Sequence, residues 1–227
     1  MAQVRSVAAA AVLATAAAVL AGCTGGERAT MSPAASAGAA ASATSAAAPS
    51  PGRPWFDEVK AAAAGTKVGG AGGGCPMPVA FTGPKGWKVK PFRPGGVLDE
   101  LAKQGGFTLV CELDAKPAQV LGLMKVMLAD QAGGDLRAAV DAYLKPGPDT
   151  KVRSRVDREV TVAGVPALEV AYENYSALLE TTTRARLLAV GNRGRMSLLW
   201  IGGLDEQEHK GLLGGLVLAR TTMVVSP

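Results

Sequence analysis

Apolar positions fall into three regimes along the chain. Val7 to Leu20 is an uncharged run rich in Ala, Val and Leu, whereas Thr24 to Pro54 is almost free of bulky apolar side chains and consists largely of Ala, Ser, Thr, Gly and Pro. From Cys75 to Val225, short apolar runs alternate with polar residues and turn signals. In this third regime, β-type runs bounded by Gly, Pro or charge predict strands at Val79 to Thr82, Trp87 to Lys90 and Phe107 to Leu113. Leu121 to Leu128 fits a strand or a helix by pattern. Leu136, Ala139, Val140, Tyr143 and Leu144 recur at helical spacing and predict a helix over 135–145, capped by Asp135 and stopped by Pro146-Gly147-Pro148.

Four alternating segments follow: Val152 to Val162, Ala167 to Tyr175, Thr183 to Val190 and Arg195 to Ile201. Turn signals at Ala163-Gly164-Val165-Pro166 and Asn192-Arg193-Gly194 predict an antiparallel meander. In the second segment Leu168, Val170 and Tyr172 point one way and Glu169, Ala171 and Glu173 the other, which predicts one buried and one wet face. Asp205 with Glu208 three residues later reads as a capping box opening a helix that buries Leu212, Leu213, Leu216 and Val217, although Gly211, Gly214 and Gly215 weaken it. Thr221 to Val225 is expected to return as a closing strand. The fold class is α+β, an antiparallel β-sheet with helices packed on it.

The first regime has one positive charge, Arg5, ahead of its apolar run, which is too short to span a bilayer permanently and is built like a secretory signal peptide. It ends in Leu20-Ala21-Gly22-Cys23, which resembles the lipobox of bacterial lipoproteins. That resemblance implies cleavage before Cys23 and a diacylglycerol on its thiol; an ordinary signal peptide with a chance cysteine is the alternative. Each buried methylene contributes about 0.8 kcal/mol, so two or three acyl chains anchor far better than one. Residues 1–22 are then the signal peptide, and the protein is expected on the cell membrane, lipid-anchored and facing the extracellular side. Residues 23–74 form an expected disordered tether that begins at the lipidated cysteine, because such a composition cannot offset its ordering entropy. Within it, Trp55, Phe56 and Val59 predict one or two helical turns over 55–64, with a weakly ordered piece of linker as the alternative, and Gly69 to Gly74 breaks them. The globular domain is expected over 75–227.

Two phrases in that domain carry a resemblance. Phe81-Thr82-Gly83-Pro84-Lys85-Gly86-Trp87-Lys88-Val89 resembles the opening P-x-G-W hairpin of PsbP-like domains, including the LpqN group of actinobacterial lipoproteins. Thr161-Val162-Ala163-Gly164-Val165-Pro166-Ala167 is similar to their V-x-G-x-P-A hairpin, and a final helix followed by a strand is also their ending. The resemblance implies an α-β-α sandwich acting as a binding or accessory module, with no shared catalytic residues to carry over and no cofactor.

Composition narrows the chemistry. The formal net charge is +5 over 227 residues, and cleavage before Cys23 removes Arg5, leaving 23 basic against 19 acidic side chains. That excess is too mild for nucleic acid, which takes a concentrated basic face. With one His and three Cys, most His-built metal sites and any zinc finger are excluded, and no metal site is expected. Once Cys23 carries lipid, Cys75 and Cys111 are two thiols outside the reducing cytosol, and a disulfide is expected. A redox thiol and two buried free thiols are the alternatives. His209, within Asp205-Glu206-Gln207-Glu208-His209-Lys210, reads as a solvated side chain on the first turns of a helix. No G-x-S-x-G occurs, and acidic pairs such as Glu112 with Asp114 or Glu169 with Glu173 read as solvated strand faces and cross-strand partners for Arg.

The basic residues are more suggestive. Lys151, Arg153 and Arg155 are expected on one strand face, Arg184 and Arg186 on another, and Arg193 and Arg195 beside a turn, so neighbouring strands would gather a cationic patch for anionic envelope polymers, lipids or an envelope protein; a sheet face neutralised by Glu159, Glu169, Glu173 and Glu180 is the alternative. Trp87, Phe92, Phe107 and Trp200 are core or the walls of a pocket. These residues point to a non-catalytic binding or accessory module at the envelope. A carrier of a small apolar or amphiphilic ligand and a cell-wall hydrolase are the alternatives.

Overall fold

In the computed structural model the alternating runs become strands, and every covered run of the meander takes the expected state. Residues 59–70, 74–75, 77–93, 95, 98–191 and 194–225 are described, all within one compact unit, residues 48–227. Cys23, Arg193 and most of the expected tether lie outside the described residues. In chain order the strands are β1 (Ala64–Gly69), β2 (Val79–Pro84), β3 (Lys88–Pro91), β4 (Lys103–Gln104), β5 (Phe107–Asp114), β6 (Leu123–Ala132), β7 (Thr150–Val162), β8 (Val165–Ser176), β9 (Thr181–Val190), β10 (Arg195–Gly202) and β11 (Val224–Val225). The helices are α1 (Leu98–Leu101), α2 (Leu136–Tyr143) and α3 (Glu206–Thr222). An antiparallel sheet runs β3-β5-β6-β10-β9-β8-β7, with β4 beside β5, and a small sheet runs β1-β2-β11.

Both faces of the large sheet carry a helix, which corrects the expectation of one wet face. On one side α2 lays Val140 and Tyr143 over Phe107, Met127, Leu187 and Leu198. On the other, α3 buries Leu212, Leu213 and Leu216 against Val126, Leu188, Leu199 and Ile201, together with Val68 and Phe81 of the small sheet. The result is α+β in three layers. Asp135 caps α2 by accepting from the Ala138 N–H at 2.7 Å, and Asp205 caps α3 by accepting from the Glu208 N–H at 2.8 Å. The α3 glycines are contact points rather than weaknesses. Gly214 O accepts from the Ala62 N–H at 2.9 Å, and a Cβ on Gly215 would come within 2.6 Å of the Trp87 ring.

The domain begins earlier than Cys75. Val59 to Ala63 is not helical, and β1 pairs with β2 inside the stretch expected to be tether. The short run Thr66-Lys67-Val68 has no alternation to announce a strand; its place is set by the partner strand. Leu123–Ala132 is a strand, which settles the ambiguous run, and α3 continues through Thr222, so only Val224–Val225 returns to β2. Cys75 and Cys111 are disulfide-bonded with Cα atoms 5.8 Å apart, tying the segment before β2 to β5.

Two bulges redistribute side chains between the faces. In β5, Leu109 pairs with Met127 and Cys111 with Val126, so Val110 is the extra residue. Phe107 and Leu109 therefore enter the α2 core, while Cys111 and Leu113 enter the α3 core. In β7 the register shifts between Arg153 and Val156, with Ser154 at φ 49°.

Candidate functional site

The bulge in β7 divides the expected basic patch. Lys151 and Arg153 stay on the α3 side, Arg153 stacking 4.0 Å over the Tyr175 ring. Arg155 is turned to the α2 side, where it pairs with Asp141 and Asp157, each at 2.7 Å. Arg184 pairs with Glu206 at 3.4 Å, and Arg186, 1% exposed, pairs with Glu169 at 3.0 Å. Arg195 spends its guanidinium on the Ala129 and Asp130 carbonyls. Lys151 and Arg153 remain exposed together; the other described members are separated by face or engaged in ion pairs and carbonyl contacts.

Glu169 is the cross-strand partner for Arg that its strand position allowed, but in the interior rather than in solvent. It is 1% exposed, and its Oε2 accepts from Arg158 Nη2 at 2.7 Å and from Arg220 Nη1 at 2.8 Å, while Oε1 faces Arg186 Nε at 3.0 Å. Three guanidiniums from β7, β9 and α3 thus converge on one carboxylate and clamp the helix to the sheet. His209 joins this layer instead of solvent. It is 2% exposed, and its Nδ1 has no hydrogen-bond partner among the described residues. Its spacing from Leu212, Leu213 and Leu216 places it on the apolar stripe of α3, a signal that outranks its charged neighbours.

Burial, reinforced by the Arg186 and Arg184 charges and opposed by Glu206, lowers the His209 pKa to about 4 from 6.5. Between those values the unfolded chain takes up a proton that the native pocket refuses, so stability falls as pH drops from about 6.5 towards 4, by about 3 kcal/mol in full. Urea midpoints across this range should decline in the wild type and flatten in His209→Gln; equal slopes would contradict the assignment.

The α2 side of the sheet is only half covered. An eight-residue helix is about 12 Å long, whereas strands of ten to twelve residues run about 35–40 Å. Beyond the reach of α2, the open face carries Trp200, Lys125, Asn174, Thr183 and, because of the bulge in β5, Glu112 and Asp114. The Trp200 indole crosses the sheet to donate its N–H to Tyr172 Oη at 2.8 Å, and Lys125 Nζ lies 5.1 Å from the ring centroid. Burial pushes the Tyr172 hydroxyl up to about 12 despite that donated bond, so it stays a neutral phenol. Gly202 makes the indole's position available: a Cβ there would meet the ring at 2.5 Å.

Two hollows flank the indole. One, about 660 Å³, has Leu121, Leu123 and Leu204 on its walls with Lys90, Asp114 and Glu208; the other, about 450 Å³, runs towards Tyr143, Pro146 and Val152. Leu121 and Leu204 are 57% and 83% exposed, apolar rims beside an aromatic floor. Asp114 accepts from Lys90 at 2.7 Å and from the Lys116 N–H, which holds its carboxyl below the usual range. The groove therefore offers an apolar bed with fixed charges at its edge. Trp200 was a sequence candidate; Lys125, Asn174 and Gly202 were missed, although a Gly two residues after a Trp in one strand marks a ring lying across the sheet. His209 lies behind the opposite face, and among the described residues no cluster of three His, Cys, Asp or Glu could hold a metal.

The site thus sits on a three-layer α+β domain stapled by the Cys75–Cys111 disulfide, with one sheet face half open. The chain belongs to a family of uncharacterised lipoproteins, whose model matches residues 41–223. Solved structures similar to it include that of cyanobacterial PsbP (CyanoP) from Synechocystis sp. PCC 6803, at 11% identity and TM-score 0.47, covering 69% of this chain and 98% of that one. LpqN, involved in cell envelope biogenesis of Mycobacterium tuberculosis, is similar at 14% identity and TM-score 0.46, covering 71% of this chain and 90% of that one. No curated protein matches the chain by sequence.

Proposed function

We propose that this envelope lipoprotein is a non-catalytic binding module, anchored through acylated Cys23 on the outer face of the cell membrane, whose ligand seat is the groove floored by Trp200. The observation that carries the reading is the half-buried indole at the edge of the α2-side core, bonded to Tyr172 and lying over Gly202, with its remaining surface turned to the part of the sheet that α2 leaves open. Exposed leucines beside it suit an elongated apolar body, and Lys90, Lys116 and Lys125 at the margin suit a polar or anionic end. This favours an amphiphile over a bulk polymer. The lipobox and the family support the anchor, and mass spectrometry of the mature amino terminus tests it: a diacylglyceryl adduct on Cys23 is expected, and an unmodified cysteine would refute that part.

The seat is tested with monomeric lysophosphatidylglycerol, titrated calorimetrically against the chain from Cys23 onward. Saturable binding is expected, weakened about tenfold or more in Trp200→Ala, which removes the floor. Gly202→Val should weaken it similarly by displacing the ring. Absence of binding, or wild-type affinity in both variants, would overturn the groove as the seat.

A further inference from the structure

We propose that the turn between β8 and β9 is a membrane-contacting tip that sets Leu178 and Leu179 into an anionic lipid surface. The proposal rests on the lipid-anchored reading above and uses neither Trp200 nor the leucines at the rim of its groove. Leu178 and Leu179 are 80% and 69% exposed and sit side by side at the apex of the hairpin. Paired large apolar side chains on a convex apex are a burden to a domain that stays in water, and they contribute nothing to either core cluster.

The turn is shaped. Ser176 Oγ accepts from the Leu179 N–H at 3.3 Å, the Ala177 N–H donates to Asp149 O at 2.7 Å, and Glu180 closes the turn at φ 51°. The loop after α2 props it from behind. One step below the leucines lies Tyr175 with the Arg153 guanidinium over its ring, and Lys151 is its partner across the strands. Lys145 follows in the propping loop, with Asp149 and Glu180 as the acidic residues of the apex. Apolar apex, then aromatic ring, then cations is the order of chemistry met on passing from acyl chains to anionic headgroups. Two leucines are far too few for a stable protein interface, which buries about 1,000 Å² or more, whereas a fluid bilayer accepts a small convex wedge without a complementary shape. About 36 residues separate Cys23 from Val59, at up to about 3.5 Å each, so the length of the chain allows the tip to meet the surface holding the anchor.

The test couples the chain from Cys23 onward, through the Cys23 thiol, to a maleimide-headgroup lipid in vesicles of phosphatidylglycerol and phosphatidylethanolamine. Cys75 and Cys111 are bonded to each other, so coupling is directed to Cys23, and the result does not depend on whether the cell acylates it. Hydrogen exchange across 176–181 should slow by about threefold or more on coupling, while the 163–164 turn at the other end of β8 keeps its rate. Leu178→Ser with Leu179→Ser, both exposed and so harmless to folding, should abolish the slowing. Unchanged exchange at 176–181, equal slowing at both turns, or slowing that appears only when envelope proteins are added would overturn the proposal, the last assigning the tip to a protein partner.

Discussion

Replacing Glu169 with alanine is expected to lower the unfolding free energy by about 3–5 kcal/mol, the largest effect of any single substitution considered for this domain. The size follows from what remains. Arg158, Arg186 and Arg220 converge on this carboxylate, and Arg186 is 1% exposed, so the substitution removes the buried charge that one interior and two half-buried guanidiniums share. Glu169→Gln preserves the shape and removes only the charge; it should cost nearly as much, because charge rather than volume holds the layer. Urea unfolding of both variants measures this. A loss below about 1 kcal/mol in both would show that the cluster is incidental to stability.

The second large effect is that of the disulfide. Cys75→Ser with Cys111→Ser should cost about 4 kcal/mol, the chain-entropy value for a loop closed over 36 residues. Replacing both avoids a stray thiol. The loss should appear first around β1 and β2, because the bond joins the segment between them to β5, and exchange at Val79–Pro84 should accelerate before that of the meander. Identical urea midpoints with and without reductant would contradict a structural role.

The meander was legible because its signal is local. Alternation in β7 to β10 and turn residues at Ala163-Gly164 specify strands whatever lies above them, and the Asp135 and Asp205 caps fix where helices begin. What lies above each face was not legible. Glu169 alternates with Leu168 and Val170 as a solvent residue should, and only the arrival of α3 with Arg220 makes it an interior anion. The same holds for Arg186, whose place in a surface patch depended on a face that proved to be roofed. Bulges were invisible for a related reason: Val110 and Ser154 have no compositional mark, yet one sends Glu112 and Asp114 to the groove and the other removes Arg155 from Lys151 and Arg153. Of the groove, Trp200 could be named from scarcity alone; its exposure follows from the shortness of α2 relative to the strands, a relation between two elements that neither sequence segment contains.

The roof over the Glu169 face is also the last major element to be made. During synthesis, amino terminus first, Cys75 and Cys111 emerge well before Arg220, and β2 must wait for Val224 to gain its second neighbour. The covalent link therefore joins segments that are both made before the ionic clamp receives its guanidinium from α3, so the two fastenings of the domain are completed in sequence order.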